Sequence, residues 1–195
     1  MAKKAAYMIS VLFTVPMVAL IVFLIMWFDN SKQNFNDNIF YLINSILFFT
    51  IIPISAYFIV RINKKLRMLG RETERRYAFI FGIIGYLLGN ISLLFLKNPT
   101  KAMIGLYLSY LISSIILAFV NKALKFKASG HACGITGPIL ALNFIVGIKM
   151  LWLFILVPIV MWSRLVLKRH DLKQLISGAM TSFLVTFVIM LIIIK

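Results

Sequence analysis

The chain has 195 residues, of which 62% are hydrophobic and only 13% are charged, and its mean hydropathy is +0.99. This composition excludes an ordinary soluble globular domain. The net charge of +16 would suggest nucleic-acid binding in a soluble protein, but here the basic residues cluster between apolar runs, as orientation signals and contacts to anionic lipids do. We therefore expect one integral membrane domain over residues 1–195, with no nucleic-acid partner.

Apolar runs close to the length of a membrane span predict an all-α, polytopic transmembrane helix bundle of six to seven spans. The first run is too long for the apolar core of a signal peptide, and no small-residue cleavage site follows it, so it should remain as a transmembrane helix. Two pairs of glycines, Gly85 with Gly89 and Gly130 with Gly134, have the spacing that permits close helix approach. The seven candidate spans are Tyr7–Phe28, Ile39–Val60, Tyr77–Leu96, Ala102–Val120, His131–Ile148, Met150–Leu167 and Leu172–Ile194.

The distribution of Lys and Arg between these spans predicts the orientation of the bundle. With seven spans, sixteen of the 21 basic residues fall on the side that carries the N-terminus and the loops after spans two, four and six. The other side carries the remaining five, which are Lys32, Lys97, Lys101, Lys149 and Lys195. The positive-inside rule places the richer side in the cytoplasm of a cell membrane.

Few residues in this chain can carry chemistry. Cys133 is the only cysteine, which excludes an internal disulfide and a multi-cysteine metal site. The five acidic residues all lie outside the centres of the spans, so a carboxylate relay across the membrane is not expected. The sequence therefore predicts neither a metal nor another cofactor.

Both histidines fall on the predicted cytoplasmic side, beside cationic residues. Ser129 and Gly130 precede His131 at the start of span five, where unpaired backbone N–H groups and the helix dipole favour an anion. Lys122 adds positive charge just before them. Arg164 lies at the inner end of span six, and a guanidinium suits a phosphate group bidentately. These residues predict a phosphate site at the membrane surface.

The two imidazoles suggest a division of chemical roles. One histidine can attack phosphorus while the other donates a proton to the leaving oxygen. An attacking histidine needs its far ring nitrogen held by an acceptor. For His170, two acceptors are candidates: Gln174, one helical turn away on the same face, and the adjacent Asp171.

Ser129-Gly130-His131, followed by Ser163-Arg164, five residues and His170, resembles motifs two and three of the type 2 phosphatidic acid phosphatase superfamily. The resemblance covers about residues 100–190, with the 61–76 loop as a further candidate part. It implies a helical catalytic core in which His170 is the nucleophile, forming a phosphohistidine, and His131 is the acid. It also implies Arg164 on the phosphate, independence of metals, and a lipid phosphate or polyprenyl diphosphate as substrate.

The chain departs from the motifs of that superfamily at several positions. The first motif, Lys-x6-Arg-Pro, is incomplete: Lys64 and Arg71 keep its spacing, but Glu72 replaces the proline, and Arg75 is a further candidate for phosphate binding. Gln174 stands where most members have aspartate, which resembles the polyprenyl or dolichyl diphosphate phosphatase branch.

Three functional hypotheses follow from these patterns. The first is a membrane phosphatase that hydrolyses a lipid phosphate or polyprenyl diphosphate. The second is a phosphotransferase that uses the same phosphohistidine with a lipid acceptor in place of water. The third is a non-catalytic membrane protein, such as a transporter or a binder of lipid phosphates, which the incomplete first motif favours. Membrane lipids are expected partners in every case, and the sequence does not determine the oligomeric state.

Overall fold

The computed structural model describes residues 1–29 and 32–194, which are mainly helical, with no β-strand among them. Five of its helices are long and apolar enough to cross a membrane, and a bent pair near the N-terminus would make a sixth. This confirms the predicted all-α class and agrees with an integral membrane protein. Lys195, which the orientation count includes, lies outside the described residues. The helices are α1 (Ala2–Leu12), α2 (Val15–Phe28), α3 (Ile39–Ile62), α4 (Lys64–Met68), α5 (Arg71–Ser92), α6 (Lys101–Lys122), α7 (Gly130–Ile145), α8 (Ile148–Val166, its first part a 3-10 helix) and α9 (Leu172–Ile193).

The first predicted span, Tyr7–Phe28, is wrong as a single helix. It is divided into α1 and α2, whose axes differ by 59°. Thr14 between them has an extended backbone, and Pro16 occupies the first turn of α2. Proline is tolerated in the first turn of a helix but not in its interior, where it lacks the N–H and its ring clashes with the preceding turn, so the chain turns at Thr14 and a new helix begins at Val15.

The fifth predicted span, His131–Ile148, is also shorter than expected. Its helix α7 has 16 residues, fewer than the roughly twenty that span a bilayer, and Gly147 follows it with a φ of 106°. All residues from Ala132 to Leu142 are buried, because α7 packs against α2 and α9. A helix that is apolar on every side lies at the centre of a bundle. The segment Ser129-Gly130-His131 forms the N-terminal end of this central helix.

The glycine pair Gly85 and Gly89 lies at a close helix contact, as predicted. A Cβ on Gly85 would overlap the carbonyl oxygen of Phe48 in α3, and one on Gly89 would overlap the neighbouring aromatic ring. In the other pair only Gly134 has such a contact, whereas the surroundings of Gly130 leave room for a side chain. The absence of a Cβ at these positions lets the helix backbones approach each other.

Side-chain contacts group the loops at two ends of the bundle. At one end, Lys149 and Asp29 form an ion pair of 2.7 Å, and Asn36 donates a hydrogen bond of 2.7 Å to the carbonyl oxygen of Asn98. At the other end, α1 packs along α8, and the loop before α7 contacts the start of α9. The two histidine segments therefore share one end, as the sequence predicted.

Candidate functional site

The Ser129-Gly130 loop is attached directly to α9. The backbone N–H of Ser129 donates to the carbonyl oxygen of Gln174 over 2.9 Å. A Cβ on Gly178 would overlap the carbonyl oxygen of Ser129, so only glycine allows this approach. The hydroxyl of Ser129 accepts from the N–H of Ala132 as the N-cap of α7. These contacts set the N-terminus of α7 beside the helix that follows His170.

His170 is held by one side chain and shielded from solvent. Its Nδ1 lies 2.8 Å from Oε1 of Gln174, and only 8% of the residue is exposed. Asp171 is exposed and accepts instead from the N–H of Gln174 as the N-cap of α9. Of the two acceptors that the sequence suggested, Gln174 therefore makes the contact. Because an amide oxygen can only accept, Nδ1 carries the hydrogen and Nε2 keeps its lone pair.

Arg164 is among the most deeply buried large side chains described, at 2% exposed. Its Nη1 donates to the hydroxyl of Ser10 over 2.6 Å, and Nη1 of Arg169 donates to the same oxygen over 3.0 Å. The Nε atoms of both arginines are shielded and have no hydrogen-bond partner in the described part of the chain. Neither arginine forms an ion pair there. The site thus holds two adjacent guanidinium groups with unused donors.

The ring of His131 completes the cluster. It is half-buried, and its Nε2 lies 3.3 Å from the carbonyl oxygen of Ser10. Because that oxygen only accepts, Nε2 carries a hydrogen and Nδ1 is the atom free to gain or lose a proton. The charges of Arg164, His170 and Arg169 all act on this ring. The structure therefore brings both histidines and Arg164 together at one end of the bundle.

Burial and cationic neighbours control protonation around the site. Burial lowers the pKa of His170 from its ordinary value of 6.5; the bond to Gln174 opposes this, and the charges of Arg164, Arg75 and Lys127 lower it further. Burial likewise lowers the pKa of Arg169, and Arg71 and Arg75 add to the effect. His170 is consequently neutral over a wider pH range than an exposed histidine.

The basic residues predicted from the sequence divide into two groups. Arg71 and Arg75, in the first turns of α5, lie close enough for their charges to act on the cluster. Lys64 and Lys122 are exposed, and no described contact joins them to it. Of these four basic residues, only Arg71 and Arg75 act on the cluster, and they do so from a different helix than the histidines.

Sequence reasoning missed Ser10 and Arg169 as members of the site. Ser10 is buried on the face of α1 that packs against α8, together with Ala6 one turn earlier, while Tyr7 and Val11 are exposed. In the sequence, Ser10 could have been noticed because it and Ala6 are small residues one helical turn apart, in a segment of large apolar side chains. Arg169 was counted only as a charge that orients the chain.

No family model, curated protein or solved structure matches this chain. In the described residues, no group of three or more His, Cys, Asp or Glu side chains comes close enough to hold a metal ion.

Proposed function

We propose that this protein is an integral membrane phosphatase that releases phosphate from a lipid phosphate or polyprenyl diphosphate through a phosphohistidine. The main support is Arg164, a nearly fully buried guanidinium beside both histidines and without a carboxylate partner in the described chain. A buried charge without a partner is costly. A phosphate group is a suitable partner, because the planar guanidinium binds it bidentately.

The proposed reaction has two steps. Nε2 of His170 attacks phosphorus, the bond from phosphorus to the leaving oxygen breaks, and its electron pair stays on that oxygen. His131 enters the reaction as the imidazolium, which the bound phosphate anion beside it favours, and supplies the proton that Nδ1 then carries. Water then attacks the phosphohistidine, His131 recovers the proton, and orthophosphate leaves. Arg164 and the N-terminus of α7 neutralise charge on the phosphoryl oxygens, which is the main requirement of phosphoryl transfer.

The apolar bundle supports a lipid substrate and a membrane-surface site. The tail would lie among the helices while the phosphate reaches the cationic end. We place that end in the cytoplasm because sixteen of the basic residues lie in the loops and helix ends on that side.

A phosphate-release screen in detergent tests this function directly. Phosphatidic acid, phosphatidylglycerol phosphate and isoprenoid phosphates are offered to the purified protein, with and without EDTA. We expect release from at least one lipid, unchanged by EDTA. No release from any of them would reject the phosphatase, and labelled phosphate that moves into a second lipid would instead indicate a phosphotransferase.

The pKa of His170 predicts the pH profile. Because the neutral ring is the nucleophile and its pKa is lowered, kcat/KM for p-nitrophenyl phosphate, whose leaving group needs no proton from His131, should stay constant as pH falls through 6.5 and decrease only below it. Removing a positive charge that lowers this pKa, as in Arg75→Gln, should move the decrease to higher pH. The same substrate is used for both proteins, so its own titration cancels in the comparison. A decrease centred above pH 6.5 in the wild type would contradict the assignment.

A further inference from the structure

A second arginine directly precedes the proposed nucleophile and reaches the same oxygen as Arg164. Arg164 and Arg169 each donate one Nη1 bond to the hydroxyl of Ser10. The N–H of Arg169 also donates to the carbonyl oxygen of Arg164 over 3.0 Å. Two guanidinium groups that share one acceptor lie side by side, and Ser10 uses only one nitrogen of each.

The positive charge of this pair is not balanced by the acidic residues described. Glu72 lies 3.9 Å from Arg75, and Asp171 caps α9, so neither contacts the pair. The charged groups that act on Arg169 are other arginines, with Tyr7 as the only group that opposes them among the described residues. Two adjacent charges of one sign, of which Arg164 is buried and Arg169 half-buried, are stabilised by a ligand of the opposite sign. That ligand must supply oxygens to both guanidinium groups.

We propose that Arg169 determines specificity by binding the second phosphoryl group of a lipid diphosphate, while Arg164 binds the group that His170 attacks. This inference rests on the proposed function. A phosphomonoester carries a charge of about −2 and one set of phosphoryl oxygens. In the proposed mechanism, Arg164 and the N-terminus of α7 bind these oxygens. A diphosphate adds a second charged set of oxygens. The nitrogens of Arg169 that do not contact Ser10 can bind this set through two hydrogen bonds.

This arrangement gives Arg169 a defined place in the reaction. His170 attacks the terminal phosphorus, and the bond from that phosphorus to the bridging oxygen breaks. The electron pair remains on the lipid monophosphate, whose growing negative charge Arg169 stabilises. Water then releases orthophosphate from His170, so the net reaction consumes one water and yields a lipid monophosphate. A lipid monophosphate offered as substrate has no second phosphoryl group and cannot use this contact.

Farnesyl diphosphate and farnesyl monophosphate have the same tail, so comparing them tests whether Arg169 acts on the second phosphoryl group. Arg169→Gln should lower kcat/KM for the diphosphate roughly 10²-fold, and for the monophosphate less than about 3-fold. Arg169→Lys should recover part of the diphosphate rate, because it restores the charge without the bidentate edge. Lys173→Gln, an exposed cation two residues after Asp171, is the matched control and should change neither rate. Equal losses on both substrates would overturn the specificity role.

A binding measurement separates failure of this inference from failure of the phosphatase proposal. Inorganic pyrophosphate should raise the Tm of the wild type more than orthophosphate at the same concentration, and Arg169→Gln should abolish the excess. If the wild type hydrolyses neither lipid but shows this excess, catalysis is rejected and the two-phosphoryl site stands. If pyrophosphate and orthophosphate have equal effects on the wild type, the site is rejected whatever the activity.

Discussion

Replacing His170 by alanine should lower phosphate release by at least about 10⁴-fold, since removing the nucleophile of a covalent mechanism removes nearly all catalysis. The fold should survive, because the ring makes one described hydrogen bond, to Gln174, near the end of the bundle. Phosphate release from the best lipid of the screen and circular dichroism in detergent measure the two properties.

One companion variant and one trapping experiment make this result specific. His131→Ala should cost about 10²- to 10⁴-fold on a lipid substrate, as loss of a general acid does, and much less on p-nitrophenyl phosphate, whose leaving group needs no proton. In the wild type a labelled phosphohistidine should be trapped by rapid quenching, and it should be missing in His170→Ala. Retained activity in His170→Ala would reject the phosphohistidine mechanism.

Arg164→Met should reduce activity by about 10³-fold or more, because an arginine on the transferred phosphoryl group contributes at this scale. Its effect on stability should have the opposite sign from that of a usual core substitution. A buried guanidinium that no described carboxylate neutralises costs free energy of folding, and an apolar side chain of similar length removes that cost. We therefore expect a Tm equal to or above that of the wild type.

The sign of the Tm change distinguishes a ligand-binding arginine from a structural one. If Arg164 served mainly to join α8 to Ser10, Arg164→Met would lower the Tm, and Ser10→Ala would lower it similarly. Arg164→Lys adds a second comparison: it keeps the charge but loses the bidentate edge, so its activity should lie between those of the wild type and Arg164→Met. A lowered Tm with activity near wild type would reject the phosphate-binding role.

Much of the helical framework could be predicted from sequence, because hydropathy and glycine spacing are local properties. Seven apolar runs correspond to helical segments, and the contact at Gly85 follows from its spacing with Gly89. The predicted spans are wrong where a single residue interrupts or ends a helix. Pro16 breaks the first run, and the helix before Gly147 ends early, so length alone overestimated the spans.

The site was predictable only where its residues form motifs along the chain. Gln174 one turn after His170 is such a case, because helical periodicity places both on one face. Ser10 is the opposite case: it is 154 residues from Arg164 in sequence, and no local pattern connects them. Gly178 could not be identified either, because its close approach to Ser129 depends on how two separate segments dock. Tertiary packing, rather than propensity, decides these contacts.

The hydrogen bonds of Ser10 join the first helix to residues 154 and 159 positions later. During synthesis the arginines and the last helix emerge long after α1, so this contact closes nearly the whole length of the chain. Closing so long a loop has an entropic cost, and this cost is offset only after the intervening helices have packed. This side-chain cluster is therefore completed as one of the last events of folding, and a chain that stops before residue 164 cannot assemble it.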